Sequence, residues 1–218
     1  MSSLPDILKG VVGGPQMFIF DSWTRLFVAL ILAVGAVIAL FAWSYFEEAK
    51  KFRAFLGGFL PFTAAMIGLV TLNHWLLVFL CWEATSLLSY YLISFYGEKP
   101  EARKGALHAA LITGGGGLCL LAAILVLGFG HGLWTITATI EASWWNLPES
   151  SLLGWLFLVA ALTKSAQFPF HFWLPGAMEA PTPVSAYLHA ATMVKAGIYL
   201  LGRLYPVFGD HYLWLGLV

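Results

Sequence analysis

Three charged side chains stand inside long apolar runs: Glu83 in "LLVFLCWEATSLLSYYLI", Lys164 in "LLGWLFLVAALTKSAQ" and Lys195 in "LHAATMVKAGIYLL". At the centre of a bilayer, such a residue costs about 2.5–3.5 kcal/mol on insertion scales. One carboxylate against two amines leaves an amine unpaired, so a static ion pair accounts for only part of the set. Burial without a counter-charge favours the neutral form of a lysine. A lysine balanced between its two forms can take up and release a proton. The chemistry this trio points to is proton transfer through an apolar interior.

The surroundings of the amines fit that use. Ser185, His189, Thr192, Lys195 and Tyr199 follow steps of three and four residues. On one continuous helix they would share a sector of about 120°. Hydroxyl, imidazole and amine groups in a row could hold relay water, although Ser, Thr and His also serve as ordinary interhelical hydrogen-bonding groups. In "LTKSAQFPFHFWLP", Pro169 lacks an amide hydrogen and would clash with the carbonyl of Ser165. Freed backbone groups at membrane depth are tolerated only inside protein or beside a water-filled cavity. A broken helix with Lys164 before the break and His171 after it has the form of an ion site in transporters. The plainer alternative for His171 is a helix-end anchor at the membrane surface.

The elements that must position these residues are membrane helices. The chain is 60% apolar and 10% charged, with a mean hydropathy of +0.83. Soluble domains carry about 25% charged residues. Spans of about 20 apolar residues place six transmembrane helices near 17–46, 55–72, 75–96, 105–129, 152–172 and 184–205, after an outer N-terminal segment, 1–16, without signal-peptide character. The fold class is therefore an all-α polytopic membrane protein with one broken helix, its bundle occupying 17–218. Lys50, Lys51 and Arg53 follow the first helix, and Lys99, Arg103 and Lys104 follow the third. These basic loops fall on one side, which the positive-inside rule makes cytoplasmic, so both termini are expected outside. Trp134, Trp144 and Trp145 suit the outer interface. Lys104, at a helix start, has a second reading as a proton feeder.

Other features point away from different functions. The formal net charge is zero, which gives no reason to expect nucleic acid. "GGGG" at 114–117 has no following G-K-[ST] and reads as close helix packing rather than a phosphate loop. Cys81 and Cys119 cannot make a metal site by themselves, and no cofactor or metal is expected. Of six histidines, only His171 and His189 could offer a haem an axial pair.

The stretches "WEATSLLSYYLI", "GALHAALITGGGG" and "LTKSAQFPFHFWLPGAMEAPTPVSAYLHAATMVKAGIYLLGRLYP" resemble the antiporter-like subunits shared by Mrp-type cation/proton antiporters and the membrane arm of complex I. "HAATMVKAG" and "KSAQFPFHFWLP" are most similar to the large A subunit of the former. The resemblance covers about 20–206. It implies a proton-translocating half-channel, with Glu83 as the acid that pairs with a lysine, Lys164 as the broken-helix lysine, Lys195 as the lysine that passes protons on, and His171 and His189 as relay members. It also implies that this chain corresponds to the first of two inverted repeats. Other membrane subunits, including a chain supplying the second repeat, would then be partners in a cell (inner) membrane complex moving protons and Na+. Two further readings stay open: a proton-pumping subunit of a complex I-like or membrane hydrogenase complex, itself without a redox centre, and a non-transporting scaffold or haem-binding bundle.

Overall fold

The structure, a computed structural model, describes residues 17–142, 149–190 and 192–208. The expected outer segment 1–16, Trp144, Trp145 and His211 lie outside the described residues. Nine helices are used below: α1 (Ser22–Tyr45), α2 (Ala49–Thr71), α3 (Trp75–Ile93), α4 (Pro100–Leu125), α5 (Ile136–Glu141), α6 (Ser150–Lys164), α7 (Trp173–Ala177), α8 (Thr182–Ala190) and α9 (Met193–Phe208). Among the described residues, five spans are long and apolar enough to cross a membrane: 22–45, 49–71, 75–96, 100–130 and 182–207. The apolar α6 is shorter.

Local chemistry sets several ends. Asp21 caps α1 by accepting the Thr24 amide at 2.8 Å. Pro100 opens α4, where its missing donor costs nothing. α4 runs on through a π-helical turn, Val126–Gly130. The buried positions of α1 (Phe27, Ile31, Gly35, Ile38 and Ala42) recur at three- and four-residue steps. Leu26, Leu32, Val37, Leu40 and Trp43 of the same helix are exposed apolar residues, as lipid requires.

At one end of the bundle the chain is tied into a corner. The amide of Ile19 donates to Thr71 O at 2.7 Å, and that of Asn73 donates to Met17 O at 2.9 Å. The amide of Trp75 donates to Trp134 O at 3.0 Å, and that of Ile136 donates to Asn73 O at 2.8 Å. Asn73 also exchanges hydrogen bonds with Thr137, through Nδ2 to Oγ1 at 3.0 Å and from the Thr137 amide to Oδ1 at 3.1 Å. The short turn between α2 and α3 thus anchors the segment that leads into α5. At the opposite end Lys50, Lys51 and Lys99 line one cleft with Tyr91, Phe95 and Tyr96. The two basic loops therefore share one end of the molecule.

The fifth and sixth expected helices differ from the spans read in the sequence. The fifth, expected over 152–172 with its break at Pro169, ends at Lys164. Ala166 adopts a left-handed conformation with φ +51°. The Gln167 amide donates to Leu162 O at 3.0 Å and the Ala166 amide to Thr163 O at 3.4 Å. This is the Schellman pattern of helix termination, with alanine where glycine is usual. The sixth, expected as one helix over 184–205, is two: α8 and α9, separated after Ala190. Thr192 Oγ1 donates to Tyr187 O at 2.7 Å, satisfying a carbonyl at the end of α8.

Candidate functional site

Helix α6 is 15 residues long, about 22 Å at 1.5 Å per residue. It delivers Lys164 to the protein interior on its last turn, and the side chain is fully buried. The amine lands on α3. Lys164 Nζ donates to Trp82 O at 2.9 Å and to Ser86 Oγ at 2.7 Å, and it lies 5.0 Å from the Trp82 ring centroid. An ammonium has three donors. Here two are used on neutral acceptors and the cation faces an aromatic π-surface. Lys164 makes no ion pair with a described carboxylate.

Glu83 lies on the same stretch of α3, three residues before Ser86 and so on a neighbouring face of the helix. Its charge and that of Lys164 interact, but the two do not meet as a salt bridge. Glu83 Oε1 is buried without a hydrogen-bond partner. An unsatisfied buried acceptor is costly, and this one points at the backbone of α4. Gly117 of α4 makes the space: a Cβ there would collide with Glu83 Oε1, and one on Gly116 would collide with Thr163 Oγ1. Half of the tetraglycine is thus a close contact between α4 and its neighbours α3 and α6.

The turn after α6 is fastened from both sides. Trp173 Nε1 donates to Thr163 O at 3.0 Å, and Ser165 Oγ donates to Val194 O at 2.8 Å. A Cβ on Gly197 would strike Ser165 Oγ and Ala161 O, so α9 passes directly against the broken end of α6. His189 ends α8 with its ring 6.3 Å from that of Trp173. Both its ring nitrogens are buried without hydrogen-bond partners. Lys195, next to Val194, is half-buried.

The structure therefore places Lys164 against the stretch of α3 that carries Glu83, puts Lys195 on the helix that touches the end of α6, and puts His189 beside Trp173, which holds Thr163 O. It does not bring His171 there. His171 is exposed in the turn before α7, with its ring 6.1 Å from Phe168 and 6.3 Å from Phe172. The expected polar stripe is also divided. Ser185 Oγ donates to Ala180 O at 3.2 Å, Thr192 to Tyr187 O, and Tyr199 to Val70 O at 2.8 Å. These hydroxyls satisfy backbone carbonyls, and the break after Ala190 separates them into two groups.

Two features were missed in the sequence. Ser86 was signalled only by its three-residue spacing from Glu83. Arg203, in "LLGRLYP", is a further buried cation. Its guanidinium pairs with Asp21 through Nη1–Oδ2 and through Nη2–Oδ1 at 3.2 Å. It also donates to Thr24 Oγ1 at 2.6 Å and Tyr199 OH at 2.9 Å. Among the described residues, no cluster of three His, Cys, Asp or Glu could hold a metal ion.

Residues 72–216 match the family described as NADH:quinone oxidoreductase/Mrp antiporter, transmembrane region. The A/B component of a probable K+/H+ antiporter from Rhizobium meliloti (strain 1021) is 44% identical over 200 residues, 91% of this chain and 20% of its own length. The A1 component of a Na+/H+ antiporter from Staphylococcus aureus (strain MRSA252) is 41% identical over 197 residues, 89% of this chain and 25% of its own length. A chain in the structure of the Mrp complex from Dietzia sp. DQ12-45-1b superposes with a TM-score of 0.82 at 39% identity, covering 89% of this chain and 22% of that one. The chain thus spans a fifth to a quarter of the length of these relatives.

Proposed function

Because the chain belongs to the NADH:quinone oxidoreductase/Mrp antiporter transmembrane family, we propose that it forms a proton-translocating half-channel of a multisubunit monovalent cation/proton antiporter. The observation that carries this reading is the fully buried Lys164 amine resting on Trp82 O and Ser86 Oγ while the Glu83 carboxylate beside it is unmatched. A static pair would put amine and acid together. Here the amine has a neutral seat, and an acid seat lies on the same stretch of helix.

The mechanism follows from those two seats. Protonated Lys164 engages Glu83, a charge-assisted contact. When that contact opens, the amine returns to Ser86 and the Trp82 carbonyl and gives up its proton. His189 receives it, its unpartnered ring nitrogens facing the interior beside Trp173. Lys195, beyond the break on α9, passes it laterally. Opening and closing of the pair is the two-state element a coupled ion must bias. Moving one charge against 100 mV takes about 2.3 kcal/mol, within reach of one gained or lost charged hydrogen bond, about 1.5–3 kcal/mol. His171, exposed beyond the break, serves at the mouth of the path.

The names of the relatives, components of K+/H+ and Na+/H+ antiporters, favour antiport over the redox-driven reading. In this proposal the basic end faces the cytoplasm of a bacterial cell membrane. Other membrane subunits, and a segment or chain carrying the second inverted repeat, complete the path, with Na+ as the coupled ion. The test is antiport in inverted vesicles holding the assembled complex with Lys164→Ala. Transport should vanish while the complex still assembles; wild-type transport would overturn the role of Lys164.

A further inference from the structure

We propose that the outward-facing groove between α3 and α4 binds an anionic glycerophospholipid, its phosphate held by Arg103 and Lys104 and one acyl chain lying along α4. At the basic end of the bundle a cavity of about 320 Å³ is lined by Tyr90, Pro100, Arg103, Lys104 and Leu107. No acidic residue lines it among the described residues. Glu98 belongs to the adjoining cleft with Lys50, Lys51 and Lys99, where Lys51 is already paired with Glu48 at 2.6 Å. Among the described residues, neither the Arg103 nor the Lys104 side chain makes an ion pair. Two uncompensated cations at one mouth suit a phosphodiester, and a guanidinium matches its oxygens in a fork.

An apolar track leads away from those cations. Leu107, Leu111 and Leu118 of α4 are 50%, 64% and 67% exposed, and their spacing puts them on one face. Tyr90 of α3, which shares the cavity with Leu107, is exposed, as is Leu87 about one turn earlier on the same helix. From Leu107 to Leu118 the rise is about 16 Å, half of a hydrocarbon core about 30 Å thick and so the depth of one leaflet. Gly115 lies within the track, and a Cβ there would meet nothing within 4 Å. It leaves a flat floor that packing inside this chain does not explain. Small residues alone would equally suit a partner helix. The cations at the head of the track favour a ligand with an anionic head and an apolar tail.

The experiment uses the assembled complex in detergent, equilibrated with mixed micelles containing phosphatidylglycerol or phosphatidylcholine and weighed by native mass spectrometry. Phosphatidylglycerol should be retained at least tenfold over phosphatidylcholine, and the preference should disappear in the Arg103→Gln/Lys104→Gln double variant. Gly115→Trp, which fills open space, should also release the lipid. A photo-crosslinking residue at Leu111 in the otherwise wild-type chain should label lipid. Equal retention of the two lipids, unchanged retention in the double variant, or a Leu111 crosslink to another protein chain would each overturn the proposal. The crosslink decides the matter even if the charge variants fail to assemble. None of these readouts depends on the proton path.

Discussion

Two cations buried among the described residues are treated in opposite ways. Arg203, at the end where α1 begins, has the Asp21 carboxylate, the Thr24 and Tyr199 hydroxyls and good geometry with each. Lys164, at the broken end of α6, has a carbonyl, a hydroxyl and a ring, with its acid held apart. An arginine stays charged under all ordinary conditions and its fork suits a fixed clamp, whereas a lysine can lose its proton. In the proposed mechanism, the difference separates a charge that holds helices together from a charge placed to move.

The sharpest way to break this comparison is to exchange the losses. Lys164→Ala should lower antiport at least a hundredfold, the low end of what a positioned proton-transfer group contributes, while thermal stability of the complex changes little. Arg203→Ala should do the reverse; transport lost equally in both variants would abolish the distinction. Ser86→Ala removes one neutral seat and should slow antiport about tenfold, the scale of one hydrogen bond to a charged group. Ser86→Thr should restore it. Gly117→Ala would push the flexible end of Glu83 aside, so it should depress antiport while stability changes little. Gly115→Ala, in open space, should leave both unchanged.

The clamp itself has a pH signature, the smallest expected effect. Burial pushes the Asp21 carboxyl upward, but the hydrogen bond from Arg203, the Thr24 amide and the Arg203 charge outweigh it, holding the group at about 2 instead of 3.8. A carboxyl lowered by folding adds stability above its unfolded value and loses it as pH falls through the folded one. The contribution of the clamp should therefore be complete at pH 7 and at pH 5, and fade between about 4 and 2. A pH series of melting temperatures for wild type and Asp21→Asn should converge only in that window. The carboxylate is 47% exposed, so the gap at neutral pH should be modest.

Long apolar runs made the helices legible in the sequence. The spans read at 17–46, 55–72, 75–96 and 105–129 correspond to α1 through α4. The buried charges Glu83 and Lys164 were legible for the same reason, since lipid makes any charge conspicuous. The breaks were not. Ala166 carries no turn signal, and its left-handed cap is fastened by Trp173 and Val194, distant in sequence or on another helix. "HAATMVKAG" has nothing to interrupt a helix, yet α8 stops at Ala190. Proline drew the expected break to Pro169, five residues beyond the true end of α6. Arg203 lay close to a helix end, where a basic residue ordinarily reports topology. Only its pairing in space with Asp21 reveals the clamp.

The corner built on Asn73 bears on which part of the machine can move. Pinned to Met17 on one side and to Thr137 on the other, it fixes the start of α3. Glu83, eight residues along, hangs about 12 Å below that fixed point. In the proposed mechanism the acid is then the stator of the device. Its armature is Lys164, whose amine sits at the end of a flexible four-carbon stem, and any stroke between them is travelled by the amine.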